Sequence, residues 1–148
     1  KGNYKVENSV LKIIDKEKDI TSIENMHLFS SNVEKKKNIL LNLIKNLKKN
    51  NHKIFGIGAA ARASTLINYV GLNNYLDAVL EVKGSKKIGY YMSGTEIPIY
   101  DEEILLKENP EYLLLLSWHI SDILIPKLKK SGYKGKFIIP LPEPMIID

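Results

Sequence analysis

Four consecutive leucines, residues 113–116, are the feature of this sequence that most restricts the fold. A strand with one face in water alternates apolar and polar residues, but this run is apolar at every position. Continuous apolar strands are typical of parallel sheets whose two faces are both covered by helices. We therefore predict a central strand over residues 112–118 in a layered domain.

The segments around this run alternate between short apolar stretches and longer stretches with helical periodicity. Such an order is typical of a parallel sheet with crossover helices. It predicts an α/β fold, specifically a Rossmann-like three-layer domain with a mainly parallel sheet, preceded by an N-terminal helix. The predicted strands or extended segments cover residues 52–57, 76–82, 95–100 and 136–139, and the predicted helices cover residues 31–49, 60–70, 101–107 and 121–130.

Periodicity is weaker towards the two ends of the chain. Ser31 and Glu34 have the spacing of a capping box, which predicts that the first long helix begins there. Before that helix, residues 6–14 are predicted to form a short strand and turn, followed by a helical turn over residues 15–20. The prolines from Pro140 onwards predict the end of regular structure.

Composition limits the classes of partner. The chain has 148 residues, 44% of them hydrophobic, which fits one globular domain. It has no cysteine, which excludes disulfides and thiolate zinc sites and fits a cytoplasmic protein. No apolar run approaches the ~20 residues of a membrane span, and the net charge of +5 comes mostly from dispersed lysines. We therefore expect neither a membrane nor a nucleic-acid partner.

A glycine-rich segment joins the predicted strand at residues 52–57 to the helix that follows. Gly56, Gly58 and the small residues after them match a G-x-G-x-x-A pattern, which in this context is typical of phosphate binding by backbone N–H groups. Glu81 ends the next predicted strand, where an acid can hold ribose hydroxyls. The alternative is that the glycines only permit a tight turn.

Other candidate residues follow from side-chain chemistry and position. Arg62 is the one arginine of the chain, and a guanidinium can bind a phosphate through two parallel hydrogen bonds. His119 ends the leucine-rich strand on the same edge of the sheet, where it can bind a ligand, act as a base, or simply cap a helix. Tyr91 lies in a loop that either covers a ligand or is an ordinary surface loop. The predicted ligand-binding residues are Gly56, Gly58, Ala59, Ala60, Arg62, Ser64, Glu81, Tyr91, Gly94, Trp118 and His119, with no catalytic residue and no metal ligand among them.

Five segments in order carry a resemblance to a known family. They are residues 29–47, 56–71, 94–99, 110–118 and 137–144. Together they resemble the C-terminal domain of bacterial sugar C-methyltransferases, which methylate nucleotide-linked keto-deoxyhexoses with S-adenosylmethionine. One stretch and two single residues depart from the family pattern: Glu81-Val82-Lys83-Gly84 replaces an Asp-Arg-Asn-Pro-like stretch, His119 replaces an asparagine, and Arg62 replaces a lysine.

The resemblance implies that this part is one of several domains of a longer polypeptide, each with its own role. Members of the family have a cysteine-rich zinc domain and a methyl-donor-binding domain before this part. The first residue here is Lys1, not methionine, so we expect residues 1–28 to be the tail of a preceding domain or a linker, and residues 29–148 to be the C-terminal Rossmann-like domain. S-adenosylmethionine and zinc are expected in the missing domains, which are also expected partners, and no cofactor is expected in this chain.

The function implied by the resemblance is binding of a nucleotide-linked sugar by a chain that is inactive alone. Proton removal beside the sugar ketone and methyl transfer would belong to the missing domains. The alternative is an independent dinucleotide-binding module of the NAD type, which the glycine pattern and Glu81 also fit.

Overall fold

The computed structural model describes residues 5–18, 20 and 22–148. The described residues fall into two compact units, divided between Lys35 and Lys36. The first unit contains helix α1 (Asn8–Glu17) and the beginning of helix α2 (Ile23–Lys49). The second contains the rest of α2 and the whole sheet, and every candidate site residue lies in it.

The N-terminal predictions need correction. Residues 8–17 are helical, so the predicted short strand is wrong; Val10, Ile13 and Ile14 have the three- and four-residue spacing of one helix face. Helix α2 begins before Ser31, because the Ser22 hydroxyl already accepts a hydrogen bond from the Asn25 amide at 3.1 Å. The predicted capping box at Ser31 is therefore wrong. Of the predicted N-terminal segment, residues 1–4, 19 and 21 lie outside the described residues.

The second unit is built on a six-stranded sheet, which confirms the predicted Rossmann-like α/β fold. Its strands lie in the order β3-β2-β1-β4-β5-β6. All neighbouring pairs are parallel except β5 and β6. The strands are β1 (Ile54–Ile57), β2 (Ala78–Glu81), β3 (Ile99–Asp101), β4 (Tyr112–Leu115), β5 (Lys136–Ile139) and β6 (Met145–Ile147).

Helices cover both faces of this sheet, as the leucine run predicts. Leu114 and Leu116 pack in one core cluster with the buried residues of α2 and of α3 (Ala61–Val70). Leu113 and Leu115 pack in a second cluster with residues of α4 (Leu105–Glu108) and α5 (Ser121–Lys130). Successive leucines thus face opposite layers, and all four are at most 1% exposed.

Two strands differ from their predicted extent. The leucine-rich strand ends at Leu115, because a short 3₁₀ turn over Trp118–Ile120 leads directly into α5. Regular structure does not end at Pro140: β6 pairs antiparallel with β5, with Ile138 opposite Ile146. That part of the prediction is wrong, since a three-residue edge strand depends on its partner for hydrogen bonds and leaves little trace in local sequence.

Candidate functional site

The strand order reverses at β1, and the candidate site lies at this reversal. From β1 the chain continues to β2 and β3 on one side of the sheet and returns to β4 and β5 on the other. The loops that leave β1 and β4 therefore turn towards opposite faces, and a crevice opens where the carboxyl ends of these strands lie side by side. Open parallel sheets bind their ligands at such a point.

Gly58 forms the turn at the end of β1. Its φ of +97° is in the region that side chains disfavour, and its amide donates to the Leu80 carbonyl at 2.8 Å. A Cβ at this position would lie 2.5 Å from the Ser117 hydroxyl. Both the conformation and the close approach of the loop after β4 therefore require glycine here.

Gly56 has a different role from Gly58. It lies within β1, where a Cβ would be 2.7 Å from a methyl carbon of Leu116 and 3.1 Å from one of Val79. The absence of a side chain at Gly56 is accounted for by close packing of the core beneath the site.

The first turn of α3 has backbone donors available to a ligand. Ala60 precedes the helix and offers no side-chain cap, while the amides of Ala63 and Ser64 donate to its carbonyl. Within the described residues, the amides of Ala61 and Arg62 have no acceptor. These N–H groups lie at the positive end of the helix dipole, which favours an anion.

Arg62 connects this helix to the end of β4. Its guanidinium lies 2.8 Å from Nε2 of His119 and stacks over the Trp118 ring, 5.7 Å from the centroid. A guanidinium only donates hydrogen bonds, so His119 must accept with Nε2 and carry its proton on Nδ1. The structure thus brings together three residues that the sequence singles out separately, although His119 and Arg62 are far apart in sequence.

A cavity of about 390 Å³ lies beside the start of α3, and we call it the tyrosine cavity. Ala59, Ala60, Ser64 and Tyr91, all predicted site residues, line it. Its lining also includes Lys86, Lys87, Tyr90 and Ser93.

Lys87 fixes the loop of the tyrosine cavity against the glycine turn. Its Nζ donates to the Ala59 carbonyl at 2.6 Å and lies 3.4 Å from the Glu81 carboxylate. Sequence reasoning missed Lys86 and Lys87. Their one sequence signal is the pair of lysines that follows Gly84 soon after the acidic end of β2.

A second cavity, of about 320 Å³, lies on the α5 side of the same turn, and we call it the apolar slot. Gly58 and Ser117 form one end of it, and Glu81 from the end of β2 contributes a carboxylate. The remaining walls consist of aliphatic side chains from the strand ends and from α5, together with the charged residues Glu102 and Lys127. Ser117 is a further residue that sequence reasoning missed.

Gly94 lies outside this group of residues. It lines a separate groove with Asn73 and Asp77, which precede β2 and so lie at the opposite end of that strand. Its φ of +78° and the close approach of the Asn68 amide, whose Nδ2 donates to the Ser93 carbonyl at 2.9 Å, account for a glycine there.

Possible metal ligands are not clustered in the described part of the chain. The chain has no cysteine, and the described residues contain no group of three or more His, Asp or Glu side chains placed to hold a metal ion. In the same part of the chain, every helix is too short or too polar to cross a membrane.

Comparison with known proteins points to one family. The family model described as the C-methyltransferase C-terminal domain matches residues 1–142. The C-methyltransferase NovU of Streptomyces niveus is 31% identical over 96 residues, which make up 64% of this chain and 23% of that protein. The matched part is thus less than a quarter of that relative's length.

Proposed function

Since this chain belongs to the family of C-methyltransferase C-terminal domains, we propose that it binds the nucleotide-linked sugar of an S-adenosylmethionine-dependent sugar C-methyltransferase. The observation that carries the proposal is the pair of cavities on either side of the Gly58 turn, at the point where the strand order reverses. A nucleotide sugar has two bulky ends joined by a diphosphate, so it needs two cavities with an anion site between them.

The diphosphate is proposed to bind at the first turn of α3. The amides of Ala61 and Arg62 supply hydrogen bonds and a favourable dipole. The Arg62 guanidinium can exchange its hydrogen bond with neutral His119 for a stronger, charge-assisted pair with phosphate. Lys86, in the tyrosine cavity, adds a positive charge without an internal ion pair among the described residues.

Methyl transfer itself is proposed to require parts of the polypeptide beyond this chain. We expect S-adenosylmethionine and zinc to bind there, and the chain alone to transfer no methyl group. Its residues would hold the sugar while a base from elsewhere removes the proton. We also propose a cytoplasmic location, because a doubly charged sugar donor does not cross membranes unaided.

Isothermal titration calorimetry on the 148-residue chain tests the proposal. We expect nucleoside diphosphate sugars to bind with dissociation constants of about 1 mM to 1 μM, which correspond to binding free energies of roughly 4 to 8 kcal/mol. NAD and S-adenosylmethionine, titrated in parallel, should bind negligibly. Tight binding of NAD, with none of any sugar nucleotide, would replace the proposal with an NAD-type dinucleotide-binding module.

A further inference from the structure

Helix α1 carries an apolar face that is exposed to water in the described part of the chain. Val10, Ile13 and Ile14 have the three- and four-residue spacing of one helix face, and they are 44%, 55% and 53% exposed. Lys12 and Lys16 lie on the other side of the same helix. The helix is therefore amphipathic, and its apolar side has no packing partner among the described residues.

The beginning of α2 has the same property. Ile23, Met26 and Phe29 recur every three residues and are 77%, 57% and 71% exposed. The large apolar side chains of described residues 5–30 are all exposed, and together these residues expose on the order of 1,000 Å². We define the N-terminal apolar face by its six helical members: Val10, Ile13, Ile14, Ile23, Met26 and Phe29.

The length of α1 shows that this face needs a partner. An isolated helix of ten residues is marginal in water, and short helices in proteins are stabilised mainly by packing of their apolar side. No residue of α1 is buried, so the described residues do not supply that packing. A partner that covers the N-terminal apolar face would both bury it and stabilise the helix.

The size of the face and the comparisons indicate which partner fits. Interfaces between two domains of one chain measure about 600–1,500 Å², a range that includes the exposed area. The family model matches the first unit together with the sheet, so α1 belongs to the matched domain. The matched part of the relative is 23% of its length, so most of that relative lies outside the match. A partner on the same polypeptide also has a high effective concentration, which favours binding through a face of moderate size.

We infer that the N-terminal apolar face docks against the part of the same polypeptide that binds the methyl donor. This inference rests on the proposed function, because that proposal places the methyl-donor site outside this chain. Methyl transfer requires the reacting atoms to be held within about 3–3.5 Å of each other. Docking through α1 and the start of α2 would hold the two parts in one arrangement and so support that geometry.

Hydrogen–deuterium exchange followed by mass spectrometry tests the inference on two proteins, the 148-residue chain and the whole polypeptide of which it is proposed to form part. The amides of α1 should exchange about a hundredfold more slowly in the whole polypeptide, because packing suppresses local opening. The amides of β4 are the internal control and should exchange alike in both proteins, since this strand is paired on both sides within the sheet. Equal exchange of α1 in the two proteins would overturn the inference.

A pair of double variants tests the face itself. In the whole polypeptide, Ile13→Ser combined with Ile14→Ser should slow methyl transfer about tenfold and return the exchange of α1 to the rate of the 148-residue chain. Lys12→Ser combined with Lys16→Ser is the matched control, because it places the same residue twice on the polar side of the same helix. The control should leave both readouts unchanged. If the two double variants behaved alike, the apolar face would not be the docking surface.

Other partners for the face give different results, and each would overturn the inference. If α1 is protected in the 148-residue chain at twice the monomer mass in analytical ultracentrifugation, and loses this protection on dilution, a second copy covers the face. If vesicles of phosphatidylcholine and phosphatidylglycerol protect α1 and the rest of the polypeptide does not, a membrane surface covers it.

Calorimetry separates this inference from the proposed function. Ile13→Ser combined with Ile14→Ser should leave the affinity of the 148-residue chain for a nucleoside diphosphate sugar unchanged, because every candidate site residue lies in the second unit. If no sugar nucleotide binds the chain while α1 is protected in the whole polypeptide, the proposed function fails and the docking surface stands. If sugar nucleotides bind and α1 exchanges equally in both proteins, the docking surface fails and the proposed function stands.

Discussion

The two ends of the parallel strands satisfy their polar groups in different ways. At the amino ends, side chains from one segment cap the backbone of the next. The Asp77 carboxylate accepts from the Ile54 amide at 2.8 Å and pairs with Lys48, and the Glu111 carboxylate accepts from the Lys53 amide at 2.8 Å. Polar groups at this end are largely satisfied within the protein.

The carboxyl ends also have internal contacts, but the start of α3 leaves polar groups available to a ligand. The first amides of α3 have no acceptor among the described residues, and Arg62 has a neutral partner in His119 where a carboxylate would bind it more strongly. Two cavities flank the turn there. The comparison teaches that removing capping side chains at the amino ends should lower stability and leave ligand binding intact, whereas removing exposed polar side chains at the start of α3 should weaken ligand binding and leave stability nearly unchanged.

The largest expected effect is at Gly135, which precedes β5. A Cβ there would lie 2.3 Å from the Tyr133 hydroxyl oxygen and 2.7 Å from the Pro110 carbonyl oxygen. Tyr133 is buried, which raises its pKa, and its hydroxyl donates to that carbonyl at 3.1 Å. Gly135→Ala should therefore lower the free energy of unfolding by about 3 kcal/mol, measured by urea denaturation.

Nucleotide affinity provides the control for Gly135→Ala. At a temperature where the variant is folded, its affinity should equal that of the unchanged protein. If Gly135→Ala bound the nucleotide more weakly without losing stability, the proposed difference between the amino and carboxyl ends of the strands would be wrong.

Asp77→Ala should have the next largest effect. It leaves the amide of fully buried Ile54 without its acceptor and removes the partner of Lys48. We expect a loss of about 2 kcal/mol in the free energy of unfolding. Asp77→Asn is the matched variant, because it keeps an acceptor oxygen and should lose roughly half as much. Equal losses in both would show that the charge, not the backbone hydrogen bond, stabilises this end.

Arg62→Ala tests the proposal that groups at the carboxyl ends of the strands bind the ligand. Loss of the guanidinium should weaken binding of a nucleoside diphosphate about tenfold, or roughly 1.4 kcal/mol, as measured by calorimetry. The free energy of unfolding should change little, because Arg62 is exposed. Arg62→Lys keeps the charge without the planar pair of donors, so an intermediate affinity is expected. Unchanged affinity in Arg62→Ala would remove this residue from the site.

Much of the fold was predictable, because the interior strands are defined by local pattern. The leucine run and the strands around it are apolar at successive positions, which only burial on both faces explains. Helix α1 and strand β6 were missed for the opposite reason. Every described residue of α1 is exposed, and β6 depends on hydrogen bonds from β5 that no local pattern records.

The site residues that directly follow parallel strands were predictable, because the strand topology alone determines at which edge of the sheet they lie. Gly58, Arg62 and His119 follow two parallel strands, and parallel strands end at one edge of the sheet. Lys87 and Ser117 were not predictable, because their positions depend on the course of loops and on a close approach between them. The ligand assignments of the predicted site residues stay predictions.

The smallest expected effect is the contribution of Glu111, at the amino ends of the strands, to the loss of stability in acid. The hydrogen bond from the Lys53 amide holds the pKa of this carboxyl below its ordinary value. A group whose pKa is lower in the folded state stabilises the protein above its unfolded pKa, and the contribution is lost as the pH falls through the folded pKa. Glu111→Gln should therefore cost about 0.5 kcal/mol at pH 7, and this cost should disappear as the pH falls through the lowered pKa of the folded state, as measured by urea denaturation across pH. Glu96→Gln removes the same charge from another exposed position and is the matched control. If the stabilities of the two variants follow the same pH profile, net charge rather than the backbone hydrogen bond explains the acid sensitivity. The hydrogen bond from the Lys53 amide to Glu111 would then not count among the contacts that stabilise the amino ends.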